Sequence, residues 1–247
     1  MVKALVTYRI SGAYLVFAPV TFSFPGSANA KVKMEAPVVA NPDESSIHLC
    51  VEIEGMTTQE EALAEASAVA TAVADRLVYE RGSYFPTPTI FETAFVENGV
   101  QSLGSSLAMS CRGVMVNSLA AESISKLVAT VSQASFAGEP HLATLRAALG
   151  CDDPIGKFLC LYGILMTIAG DDQAKIDAII ERHGPTPKEP RTPRPDKPLI
   201  KETVYTRLRN EVAHRLSTRA IGAIRSEMEQ RISGLKDIVR NAIAEVV

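Results

Sequence analysis

Arg209, Asn210 and His214 stand within six residues of one another in the stretch KETVYTRLRNEVAHR, Lys201–Arg215. A guanidinium is a planar, permanently charged fork for the oxygens of a phosphate. An imidazole titrates near neutrality and can take or give a proton. Cleavage of an RNA phosphodiester without a metal needs both parts. A base removes the 2′-hydroxyl proton, and cationic donors hold the charge that builds on the phosphorane. His214 suits the first role and Arg209 the second, while Asn210 can orient the histidine or hold the substrate. Arg207 and Arg215 flank the trio as candidate substrate contacts. The same charges also read as an ordinary solvated helix face, because Glu211 lies one turn from both Arg207 and Arg215.

The spacing predicts one amphipathic helix over Lys201–Arg215. At about 100° per residue, Val204, Tyr205, Leu208, Val212 and Leu216 share the side that a bundle buries. Thr203, Arg207, Asn210 and His214 fall on the opposite side. Arg209 lies on a flank, about 140° from His214 on an ideal wheel. A single straight helix does not aim both side chains at one point. Either the arginine wraps round, or the helix ends near His214, or a second subunit completes the site.

The sequence RN-x-x-A-H, on the penultimate helix of a helical C-terminal half, resembles the HEPN superfamily. The signature of these small helical bundles is an Arg, often followed by Asn, then four to six residues and a His. The phrase ETVYTRLRNEVAH is also similar to that of MauJ-type proteins of methylamine-utilisation gene clusters. The resemblance covers about the last third of the chain. It implies a dimeric bundle whose Arg209 and His214 line a cleft between two subunits, with products carrying a 2′,3′-cyclic phosphate. Some HEPN members are binding or scaffold partners without cleavage, so a nucleotide- or protein-binding accessory module is the rival expectation. The expected partners are RNA or a nucleotide, a second copy of the chain and a regulatory protein.

The elements that must position the motif follow from pattern. Asp153 caps a helix with Pro154 at its first position. That helix, Ile155–Ala169, is apolar nearly all round and should be the bundle's buried centre, being too short for a membrane span. Leu119–Ser132, Pro140–Leu149 and Asp172–His183 read as further helices. The proline-rich stretch 186–198 reads as an extended surface loop. A final helix, Arg219–Val246, carries Ile224, Met228, Leu235 and Val239 at helical spacing.

The N-terminal half reads as sheet. Ala4–Ser11 and Tyr14–Phe24 are expected to form a hairpin around Ser11-Gly12, with Pro19 kinking the second strand or placing it at an edge. Lys31–Val39 and Ile47–Ile53 follow, with a turn at Asn41-Pro42-Asp43 between them. The second of these turns Ile47, Leu49, Val51 and Ile53 inward and leaves His48 at the surface. Thr57 and Thr58 each have a Glu three residues on, a doubled capping-box signal for a helix running to Arg81 and stopping at Gly82. Thr89–Glu97 and Ser106–Val116 are expected strands, joined by a turn marked by Asn98-Gly99 and Gly104. The expected fold is therefore α+β: residues 1–116 a mostly antiparallel sheet with one long helix, and residues 117–247 an all-α, HEPN-like bundle.

Composition sets the outer bounds. Hydrophobic content of 47% and charged content of 21% over 247 residues describe an ordinary globular chain. The net charge of −3 hides an asymmetry, since Pro185–Arg225 holds ten basic and four acidic residues. That basic strip suits a phosphate-bearing partner, although a solvated loop and helix face account for it as simply. Cys50, Cys111, Cys151 and Cys160 have no metal-ligand spacing, and no glycine-rich phosphate loop is present, so neither metal nor cofactor is expected. Lys3, Arg9, the apolar run Ile10–Phe24 and Ala28-Asn29-Ala30 outline an export signal. Against that, the run alternates like strands and is broken by Gly12 and Pro19, which favours a cytoplasmic protein without a membrane anchor.

Overall fold

The computed structural model describes the chain apart from residues 12–14, 26, 28, 37–44, 98–99, 106–116, 119–120, 134–137, 185–187, 191–200, 214–218 and 247. It is a mixed α+β protein that divides into two compact units, Met1–Phe136 and Ala137–Val247. No single helix among the described residues is long and apolar enough to cross a membrane.

The first unit is built on a sheet. Its strands are β1 (Val2–Ser11), β2 (Leu15–Ser23), β3 (Ala30–Ala36), β4 (Ser46–Met56), β5 (Thr89–Glu97) and β6 (Val100–Ser105). They are antiparallel in the order β6-β5-β1-β4-β3-β2, and the two-residue β7 (Asn117–Ser118) adds in parallel beside β2. β1 and β2 are not a hairpin, as the sequence suggested. β1 pairs with β4 on one side and β5 on the other, and β2 pairs with β3. The reason lies in what each strand offers. β1 presents Val2, Ala4, Val6, Tyr8 and Ile10 to the core without interruption, so it sits centrally. β2 carries Pro19, which has no N–H for a ladder, and its pairing with β3 shifts between Phe17 and Val20.

α1 (Gln59–Arg81) packs its alanine-rich side on β1 and β4. Ala62, Ala66, Ala70 and Ala74 recur at one-turn spacing and are all buried, which lets the helix lie close to the strands. Thr58 caps it reciprocally with Glu61, and Gly82 ends it at φ 61°. Tyr8 reaches from the sheet to Ser67 of this helix, Oη to Oγ 2.8 Å. The strand expected at Ser106–Val116 lies outside the described residues, as does the turn at Asn41-Pro42-Asp43. Gly104, expected in a turn, is in β6 and faces Thr93 across the ladder.

α2 (Ala121–Val131) belongs to this first unit, so the division falls about twenty residues later than the expected 116/117 boundary. α2 packs on α1 and β2, and an arginine of α1 fastens its end. Arg76 of α1, 2% exposed, donates from Nη1 to the carbonyls of Val131 and Gln133 at 2.9 and 2.8 Å. Its guanidinium also lies 4.9 Å from the Phe24 ring centroid. A cation on the last carbonyls of a helix satisfies acceptors that the helix itself leaves open.

The second unit contains α3 (Glu139–Gly150), α4 (Pro154–Ala169), α5 (Gln173–His183), α6 (Val204–Ala213) and α7 (Ile221–Ala244), with β8 (Glu189–Pro190) paired to β9 (Lys201–Glu202). α4 is the centre, as its composition foretold. Phe158, Leu161, Tyr162, Ile164 and Leu165 are buried, and α3, α5, α6 and α7 all pack on it. Asp153 caps it through Gly156 N at 2.8 Å, and Asp172 caps α5 through Ala174 N at 2.9 Å.

Candidate functional site

The motif helix is shorter than its pattern. Lys201 and Glu202 are in β9, and Thr203 stands before the helix as its cap, Oγ1 accepting from Thr206 N at 3.3 Å. Val204, Tyr205 and Leu208 are buried, as the apolar stripe requires. On the opposite side Thr203 and Asn210 are buried as well, with Thr206 beside them, and Arg207 is half-buried. That burial follows from acids on neighbouring elements.

Asp177 of α5 is the first, 3% exposed. Its Oδ1 accepts from Thr203 Oγ1 at 2.7 Å, Thr203 N at 3.3 Å and Thr206 Oγ1 at 2.6 Å. Because Thr206 spends its proton on Asp177, Tyr162 of α4 donates to Thr206 Oγ1 at 2.8 Å. Burial keeps that phenol protonated, with its pKa pushed up to about 12 although the Thr206 contact works the other way. The entry of α6 is thereby tied to α5 and α4.

Glu202 is the second acid, 2% exposed. Its Oε2 accepts from Asn210 Nδ2 at 3.0 Å, with Gln173 Nε2 farther off at 3.5 Å. Asn210, itself 4% exposed, turns its other end to Arg209, whose Nη1 donates to Oδ1 at 3.0 Å. Arg209 Nη2 approaches Met166 Sδ of α4 at 3.8 Å. Arg209 thus bonds to its own neighbour, and α6 runs to Ala213, the residue before His214. Glu202, Asn210 and Arg209 form one hydrogen-bonded chain from the buried interior outward.

Arg207 was read as a substrate contact, and the structure spends it otherwise. Nη1 donates to Glu211 at 3.0 Å and Nη2 to Glu227 of α7 at 2.5 Å. Arg219 donates to the same two carboxylates at 3.1 and 2.6 Å, closing a four-membered ring of alternating charge. Burial opposes the Arg207 charge, but the bonds to Glu227 and Glu211 outweigh it and hold the guanidinium more firmly charged than usual. The ladder expected along the helix is real at Arg207–Glu211 and extends to Glu227 of α7. His214 and Arg215 lie outside the described residues, so the meeting of Arg209 with His214 does too.

The structure therefore brings together Arg209 and Asn210 from the expected set and adds Glu202, Asp177, Thr203, Thr206 and Tyr162. The signal for Asp177 was an acid set between Ile176 and Ile180 on α5. Asp177 follows directly on the buried Ile176 and lies one turn from the buried Ile180. Among the described residues no group of three or more His, Cys, Asp or Glu could hold a metal. The class defined by fold and site is a two-unit α+β protein with an arginine–asparagine pair braced by a buried carboxylate. Comparison with family models, curated proteins and solved structures returns no match.

Proposed function

We propose that the C-terminal unit is a HEPN-like module that acts on RNA in the cytoplasm, cleaving a phosphodiester without a metal. Arg209 holds the phosphate, His214 is the general base, Asn210 fixes the guanidinium, and a second copy of the chain completes the cleft. The observation that carries the reading is the Glu202–Asn210–Arg209 chain. A guanidinium whose fork is set by a buried amide is already oriented for an anion, so little ordering is left for the moment of binding. In the reaction His214 takes the 2′-hydroxyl proton, the 2′-oxygen attacks phosphorus, and the 5′-oxygen of the next nucleotide leaves as a hydroxyl, taking its proton from water while His214 returns its own to solvent. The product is then a 2′,3′-cyclic phosphate.

One observation favours a second reading, a non-catalytic accessory protein. Arg209 is drawn onto Asn210 and Met166 of its own chain, which suits a structural tie as well as a phosphate contact. The two readings separate in one assay, single-stranded RNA with purified protein in EDTA, wild type beside His214→Ala and Arg209→Ala. Cleavage by the wild type with loss of about 100-fold or more in each variant supports the enzyme. Equal residual cleavage in all three is contamination and removes it.

A further inference from the structure

We propose that Arg9 and His48, on the outer face of the first unit's sheet, hold the carboxylate of a small organic acid whose apolar part lies in the adjoining groove along β5. This site is independent of the reading of the second unit.

The ladder places Arg9 directly across from His48 of β4 and Thr89 of β5. Its strand neighbours Tyr8 and Ile10 point into the core, so Arg9 faces the other way. Arg9 Nε is buried and has no hydrogen-bond partner among the described residues. Among the described residues the acids of this face are engaged elsewhere or stand apart. Glu35 pairs with Lys33 at 2.9 Å, Glu52 pairs with Lys3, and Glu92 stands across from Thr7 and is exposed. A permanent charge with an N–H out of water and no acceptor is unfavourable unless something supplies the acceptor. The planar fork of arginine matches the paired oxygens of a carboxylate or a phosphate.

His48 was expected at the open surface and is half-buried instead. Its Nε2 meets Ser46 Oγ at 3.1 Å, and its ring stacks on Phe91 with centroids 6.0 Å apart. β4 and β5 flank β1 on opposite sides, so these two rings meet across β1, beside Arg9. Phe91 can reach because it is the extra residue where the β1–β5 register shifts, between the pairs Tyr8–Ile90 and Thr7–Glu92. Burial lowers the His48 pKa, with Arg9 adding to that effect and Glu35 opposing it. The imidazole is then neutral near pH 7 and adds a polar contact without a second fixed charge.

The groove begins at Thr7, two residues along the same face from Arg9, about 7 Å away. It is open to solvent on one side and holds about 500 Å³, a volume in the range of small-ligand sites. Ala94 lies between Leu5 and Leu103 in one cross-strand row, and its small side chain leaves a trough between two leucines that are 41% and 78% exposed. Apolar surface running toward a cation whose Nε has no acceptor among the described residues fits an amphipathic anion. Glu35 stands across from His48, and its charge weighs more heavily on a dianion than on a monoanion, which favours a carboxylate over a phosphate monoester.

The test is calorimetric titration of the full chain with octanoate, with acetate and 1-octanol as half-ligands. Expected are saturable one-to-one binding of octanoate and at least tenfold weaker binding of either half-ligand. Arg9→Met should weaken octanoate at least tenfold while leaving the unliganded chain no less stable. Ala94→Val, which keeps Arg9 and fills the trough, should weaken octanoate without weakening acetate. No octanoate binding by the wild type, or unchanged binding by both variants, overturns the site.

Discussion

Arg207 and Arg209 are two places apart on one ten-residue helix and meet opposite surroundings. Arg207 is locked between Glu211 and Glu227, with Arg219 closing the ring. Arg209 is held by an amide oxygen that is itself anchored on a buried acid. The side of α6 toward α7 is thus fastened by charge at a partly exposed rim. The side toward α4 and α5 is fastened by hydroxyl and amide groups sealed from water. Fastening by charge weakens as salt screens it, whereas a buried hydrogen-bond network is screened little.

The largest effect is expected on the sealed side. Asp177→Ala leaves two threonine hydroxyls and the Thr203 N–H without their acceptor and should cost about 3–4 kcal/mol in urea unfolding. That loss should be nearly the same in about 0.1 M and 1 M NaCl. A cost below about 1 kcal/mol would mean the network is not what seats the helix.

The ring should respond in the opposite way. Glu227→Gln is expected to cost about 1 kcal/mol at low salt and much less near 1 M. Its pH dependence has a definite sign. Burial alone would raise the Glu227 pKa, but the bonds from Arg219 and Arg207 prevail and hold it below its ordinary 4.5. A carboxyl depressed in the folded state contributes fully above its unfolded value and loses that contribution as pH falls through the folded one. The wild type should therefore keep a constant margin over Glu227→Gln from neutrality to about pH 5 and lose it in acid. A margin that grows on acidification would refute the ring.

How much of this was legible depends on whether the signal is local. The Thr58–Glu61 capping box, the Gly82 stop, the Asp153-Pro154 start and the bounds of β5 all sit in consecutive residues, and the structure has them as the sequence implied. The place of β1 between β4 and β5 was not legible, because pairing depends on which distant strands can cover both of its edges. The seating of α2 on α1 was not legible either, because Arg76 grips backbone carbonyls, which leave no mark on residue type. Within the site, Arg209 and Asn210 could be named from RLRN, but nothing in that phrase separates Arg209 from Arg207. The separation comes from Glu202 and Glu227, which lie on other elements.

The most direct measurement is the rate of RNA cleavage in EDTA by Arg209→Ala and Arg207→Ala, each at a temperature where circular dichroism finds it folded. Arg209→Ala should lose about 100-fold in kcat, and Arg207→Ala should stay within about threefold of the wild type. Equal losses in the two variants, or a greater loss for Arg207→Ala, would contradict the assignment of one arginine to the phosphate and the other to the fold.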